Sequence, residues 1–114
     1  MDSCIFCDIL SGKIPSTPIY QDDTIYAFAD IHPKAPVHIL IIPRQHVSSV
    51  MDVQTQDLKI FSALHGAAQK IAREKGLDRD GFRLVINNGT NAGQAVHHLH
   101  LHLMGGRKLN WPPG

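Results

Sequence analysis

"AVHHLHLHLMGG", residues 95–106, sets histidine and leucine in strict alternation, and the fold turns on how that alternation is read. In an extended strand successive side chains point to opposite faces, so residues i, i+2 and i+4 share one. Read this way, Leu99, Leu101 and Leu103 form a core-facing side. His98, His100 and His102 then form a row on the other, successive imidazoles about 6.5–7 Å apart along the strand. A single histidine would be read as a solvated surface residue. Three in alternation behind the glycine-rich "NNGTNAGQ" point to chemistry. Such a row can bind a metal, shuttle protons, or surround a small anion with its central member placed to attack.

Working outward, "FRLVINN" reads as a strand, and "PVHILIIP", residues 36–43, as a buried strand bounded by prolines. "PIYQDD" and "TIYAFAD" read as a hairpin joined at Asp22-Asp23. Between these β-prone pieces the period changes. Leu58, Phe61, Leu64, Ala68 and Ile71 recur at three and four, predicting one long helix over Thr55 to Lys75. Thr55 is the expected N-cap and Gly76 the stop. Cys4 to Leu10 predicts a short helix, ended by Gly12, Pro15 and Pro18. The expected architecture is α+β with an antiparallel sheet. Phe6, Phe28 and Phe82 are expected in the core, His65 on the surface. Trp111 stands apart, a large apolar group in the proline-rich "LNWPPG".

The chain has 114 residues, 43% of them hydrophobic and 18% charged, which fits a single domain over 1–114. A formal net charge of +1, with no Lys/Arg cluster, argues against a nucleic-acid partner. The longest apolar run, Ile39 to Pro43, is too short to span a bilayer. The N-terminus lacks the basic-then-apolar layout of a secretory signal, so a cytoplasmic location is expected. Histidine is the outlier, with eight residues gathered mainly around 32–46 and 97–102. Cys4-Ile-Phe-Cys7 is a C-x₂-C pair whose spacing suits zinc, a redox pair or two buried thiols.

His98-Leu-His100-Leu-His102-Leu-Met104 resembles the signature of the histidine triad (HIT) superfamily. "IFCDILSGKIPS", "DIHPKAPVHILIIPRQHVS" and "NNGTNAGQAVHHLHLHLMGGR" extend the resemblance over nearly the whole chain, and "GGR…WPPG" is similar to its Hint-type nucleoside phosphoramidase branch. The resemblance implies a HIT-like fold: an antiparallel sheet of about five strands, one long helix and a short N-terminal helix. It also implies a homodimer whose sheet continues across the two-fold axis, with the Trp111 tail near the partner subunit.

The implied activity is cleavage of the P–N bond of purine nucleoside 5′-phosphoramidates, adenosine type preferred, through a nucleotidyl-histidine. His100 would be the nucleophile, flanked by His98 and His102, with His38 as the fourth histidine. To attack through one ring nitrogen, His100 needs its other nitrogen held by an acceptor such as a backbone carbonyl of the same strand. Asp30 would accept from the ribose hydroxyls and Ile31 pack beside the base. Asn87, Gly93 and Gln94 would hold the phosphate side, with Ala95 where many relatives carry serine. His32, which replaces a small polar residue, is expected near the pocket mouth or the surface, and His97 is expected to pack on the face opposite the triad. No cofactor is implied for catalysis. Some relatives with the cysteine pair hold a structural zinc, which here would fall to Cys4, Cys7, His46 and His98, with His97 as the substitute ligand. The competing readings are a non-catalytic nucleotide-binding module and a dinucleoside polyphosphate hydrolase.

Overall fold

Alternation along three neighbouring strands sorts the side chains of the sheet into two layers. In a computed structural model describing residues 3–114, β2 (Ile25–Ala29), β3 (Val37–Pro43) and β5 (Leu101–Gly105) lie side by side. β1 (Tyr20–Gln21) and β4 (Phe82–Val85) form the edges, giving the order β1-β2-β3-β5-β4, with every pair antiparallel. The predicted five-strand sheet is what the chain forms.

One face carries Ile25, Ala27, Ile39, Ile41, Leu99, Leu101 and Leu103, all buried. It packs against α2 (Lys59–Glu74) through Ile60, Leu64, Ala67, Ala68 and Ile71; of the expected stripe Leu64, Ala68 and Ile71 are buried, Phe61 packs at the margin, and Leu58, just before the helix, is exposed. Burying each large aliphatic side chain there contributes about 1.5–3 kcal/mol. The other face carries Tyr26, Phe28, Leu40 and Ile42, together with His38, His100 and His102. α1 (Ile5–Ser11) covers part of it through Phe6 and Ile9, and Val96 packs there as well. The leucines therefore build the core, and the histidines face the thinly covered side.

The final "GG" of the opening stretch has a packing reason. A Cβ on Gly105 would stand 2.9 Å from Leu77 Cδ2 of the short helix α3 (Leu77–Asp80). Gly106 turns with φ +93, and a Cβ there would meet Pro36 at 2.9 Å. Both close approaches need glycine.

Several expectations need correction. Thr55 does not cap the long helix: Thr55–Asp57 is a separate 3₁₀ turn, and α2 starts at Lys59 behind Leu58, with no side-chain cap. Gly76, with φ 72, does end it. Phe82 is 38% exposed, because β4 is an edge strand rather than an inner one. His97 is exposed instead of packed, since the chain bends at Val96–His98 before alternation begins. The regular strand begins at Leu101, so His98 and His100 lie in the segment leading into it. Among the described residues no helix is long and apolar enough to cross a membrane.

Candidate active site and metal site

His98 stands where two clusters meet, and its hydrogen bonds decide what each can do. It is fully buried, and its Nε2–H donates to the carbonyl of Pro43, the last residue of β3, at 2.9 Å. That fixes the proton on Nε2 and leaves Nδ1 as a lone pair. Nδ1 lies 3.3 Å from Cys4 Sγ, 3.7 Å from Cys7 Sγ and 3.2 Å from His46 Nδ1. Cys7 Sγ is in turn 3.3 Å from His46 Nδ1. All four ligand atoms lie within 4.8 Å of one another. Ligands at zinc's usual bond lengths, about 2.3 Å to sulfur and 2.0–2.1 Å to nitrogen, stand about 3.3–3.8 Å apart along the edges of a tetrahedron. The donor set and spacing fit.

The cysteines reach this point because Cys4 sits at the N-terminus of α1, its Sγ accepting the Cys7 N–H, so one helical turn aligns both sulfurs. Burial, reinforced by the neighbouring Cys4, pushes the Cys7 thiol up to about 11. A coordinated cation reverses that direction, because a ligating thiol gives up its proton. Both cysteines are free of disulfide.

The second cluster lies across β3 and β5. The N–H of Lys34 donates to His38 Nδ1 at 3.0 Å, so the His38 proton is on Nε2. That Nε2–H donates to His102 Nδ1 at 2.9 Å and lies 3.4 Å from Asp30 Oδ2. His102 therefore carries its own proton on Nε2, facing away from His38. Burial drives His102 down to about 4, with His100 and His38 adding to the effect. Burial also lowers His38, against the opposing pull of Asp30. Both rings are neutral at pH 7.

Between the clusters sits His100, 7% exposed. Its Nδ1–H donates to the carbonyl of His98 at 2.7 Å, the backbone acceptor expected from the need for a fixed tautomer. Phe6 packs edge-on against it with centroids 5.2 Å apart. Its Nε2 has no protein partner among the described residues, and His100 lines a pocket of about 580 Å³. Phe6, Phe28 and Leu40 supply apolar wall, and Asp30 and His102 polar wall.

A family model described as "HIT domain" matches residues 11–109. The chain belongs to the HIT domain family. It is 46% identical over 112 residues to a Brassica juncea protein named "14 kDa zinc-binding protein", covering 96% of this chain and 98% of that one. It is 45% identical over 112 residues to "Adenylylsulfatase HINT1" of Arabidopsis thaliana, covering 96% and 76%. Among solved structures it is similar to a HIT family hydrolase from Legionella pneumophila Philadelphia 1, with TM-score 0.95, 46% identity, and 98% and 100% coverage. A histidine triad protein from Clostridium difficile gives TM-score 0.92 at 46% identity, covering 96% and 97%.

In this HIT protein Asp30, Ile31, Ala95, His100 and His102 all line the pocket, and so does His32. Ile31 is 83% exposed and stands at the pocket's edge. Asp30 serves two ends: Oδ1 accepts the His32 N–H that closes the "DIHP" turn, while Oδ2 faces His38. Asn87, Gly93 and Gln94 are not among the residues lining it. The amides of Gly93 and Gln94 are already committed, to Thr90 and Gly89 carbonyls respectively. The Gln94 side chain accepts from Gly89 N–H and donates to the Ser48 and Val96 carbonyls. These two residues build the loop instead of presenting an anion cradle. Ala95 N–H, by contrast, has no partner among the described residues. The metal cluster takes His98 and excludes the substitute His97. Phe6 is in the core as expected, but its packing edge-on against His100 from α1, and the place of Ser16 in the pocket lining, are seen only in the fold.

Proposed function

We propose that this protein hydrolyses purine nucleoside 5′-phosphoramidates, adenosine type first, through a nucleotidyl intermediate on His100. The His100 Nδ1–H bond to the His98 carbonyl carries the reading, because it leaves a neutral imidazole with its Nε2 lone pair free at the pocket. In the first step Nε2 bonds to the α-phosphorus. The P–N bond breaks, its electron pair going to the leaving nitrogen, which takes a proton from water. In the second step water attacks the phosphorus, the Nε2–P bond breaks, and the mononucleotide leaves with the imidazole restored.

His102, neutral at pH 7, lends its Nε2–H as a hydrogen bond to the phosphate oxygens rather than as a transferable proton. Ala95 N–H adds a second donor, and Asp30 takes the ribose hydroxyls. The names of similar proteins, "HIT family hydrolase" and "Adenylylsulfatase HINT1", support a hydrolase. The second name favours an additional reading, in which sulfate leaves from the same phosphorus.

Cys4, Cys7, His46 and His98 would hold a structural zinc, which closes four-coordinate on these donors and ties α1 to the sheet. The edge strand β4, with Phe82 exposed and Trp111 80% exposed nearby over Arg83, is the surface for a homodimer that continues the sheet. β1, two residues long, offers no comparable edge. Sedimentation at micromolar concentration gives a dimer on this account, and a compact monomer contradicts it.

Mass spectrometry after a rapid alkaline quench during turnover, which preserves a P–N bond, tests the reaction. An adenosine phosphoramidate should leave an adenylyl group on the peptide carrying His100. Turnover without any adduct, or undiminished turnover in His100→Asn, contradicts the assignment.

A further inference from the structure

The apolar wall of the pocket is interrupted, away from His100 and His102, by the hydroxyls of Ser16 and Thr17, and a buried phenol holds the first in place. Tyr26 is 7% exposed, and its O–H donates to Ser16 Oγ at 3.0 Å. Ser16 lies on the stretch between α1 and β1 and lines the pocket that His100 and His102 line. With its acceptor side taken by Tyr26, the serine keeps its own proton to donate. Around it stand the apolar Ile9, Ile14 and Phe28, with Thr17 beside it.

Strand register sets the scale. Phe28 pairs with Leu40, which pairs with His102, so those three make one row across the sheet. Tyr26 pairs with Ile42 and so lies one alternation further along, on the same face. It stands two strand spacings, about 10 Å, from β5, the strand that carries His102. That is the separation between the phosphate of a nucleoside monophosphate and the far side of its base.

We infer that Ser16, oriented by Tyr26, is a base-recognising residue that donates a hydrogen bond to a ring nitrogen or carbonyl of the purine. The inference rests on the nucleotide reading above and adds to it: it names a polar contact, held by a buried partner, in a largely apolar base pocket. Ser16 sets affinity and plays no part in bond breaking, so its loss raises KM and leaves kcat alone.

Calorimetry with AMP and with ribose 5-phosphate separates the possibilities. Ser16→Ala should weaken AMP binding about fivefold, the value of one such bond, and leave ribose 5-phosphate unchanged. Ser16→Thr should restore AMP binding, and Tyr26→Phe should weaken it about twofold through loss of orientation. Equal AMP affinity in Ser16→Ala and wild type overturns the inference. So does an equal loss for both ligands, which would mark a structural pin. Wild-type protein that binds AMP but leaves the phosphoramidate uncleaved removes the hydrolase reading alone; absent AMP binding removes both.

Discussion

Two clusters of histidine with sulfur or carboxylate partners lie on either side of His100, and they are built for different cargo. In the Cys4/Cys7/His46/His98 group, the Pro43 carbonyl takes the Nε2 proton of His98 and leaves Nδ1 bare among two sulfurs and a second imidazole. In the Asp30/His38/His102 group, the Lys34 N–H occupies His38 Nδ1 and forces the proton onto Nε2, directly between the would-be ligands. A metal entering the second group would have to displace that proton onto a nitrogen already facing a donor. The first cluster is arranged for a cation, the second for a line of hydrogen bonds. His100 follows the same rule: its Nδ1–H bond to the His98 carbonyl leaves Nε2 a lone pair at the pocket. The partner of the second nitrogen, more than the presence of a histidine, decides what each ring does.

Removing the central ring breaks the picture most severely. His100→Asn should lower kcat at least about 10⁴-fold while AMP affinity stays within a few-fold of wild type. Steady-state kinetics beside calorimetry checks both halves.

The metal cluster should act on stability first. Cys4→Ser with Cys7→Ser should abolish stoichiometric zinc and destabilise the fold by about 3 kcal/mol or more, measured by urea unfolding and elemental analysis. Wild-type protein purified without chelators and found free of zinc contradicts this part of the account.

Paired variants sharpen the contrast. His46→Ala should lose the metal. His38→Ala should keep it and lower kcat about 10- to 100-fold, because His102 loses the donor that fixes its tautomer. Metal lost equally from both would erase the distinction between the clusters.

The smallest effect is in acid. The unfolded chain protonates His102 near the ordinary histidine value of about 6.5, whereas the folded protein resists until about 4. The unfolded state therefore binds the proton first, and this contribution to stability, complete above about 6.5, is lost as pH falls toward 4. His38 is lowered in the same direction. Urea midpoints at pH 7.5 and 5 should differ less in His102→Gln than in wild type.

The alternation of leucine and histidine was legible because a strand has only two faces, and the long helix because Leu64, Ala68 and Ile71 recur at its period. The triad and the cysteine pair could be picked out by residue type and spacing, and the fourth histidine, His38, by the family resemblance. Their protonation could not, since it depends on the carbonyl of Pro43 and the amide of Lys34, distant in sequence from the rings they fix. The loop is a related case: a glycine-rich loop advertises free backbone amides, and only the folded loop shows those of Gly93 and Gln94 spent on the Thr90 and Gly89 carbonyls. Phe82 read as core because composition does not say which strand ends a sheet. The link between Ser16 and Tyr26 joins a turn to a strand across a pocket that exists only once α1 docks.

Imidazole ¹⁵N chemical shifts at pH 7 in the zinc-loaded protein report directly on which nitrogen of each ring holds the proton. The account predicts Nδ1–H at His100, Nε2–H at His38 and His102, and a metal-bound Nδ1 with Nε2–H at His98. A His100 ring protonated on Nε2 instead, with its bare nitrogen turned to the His98 carbonyl, would contradict it.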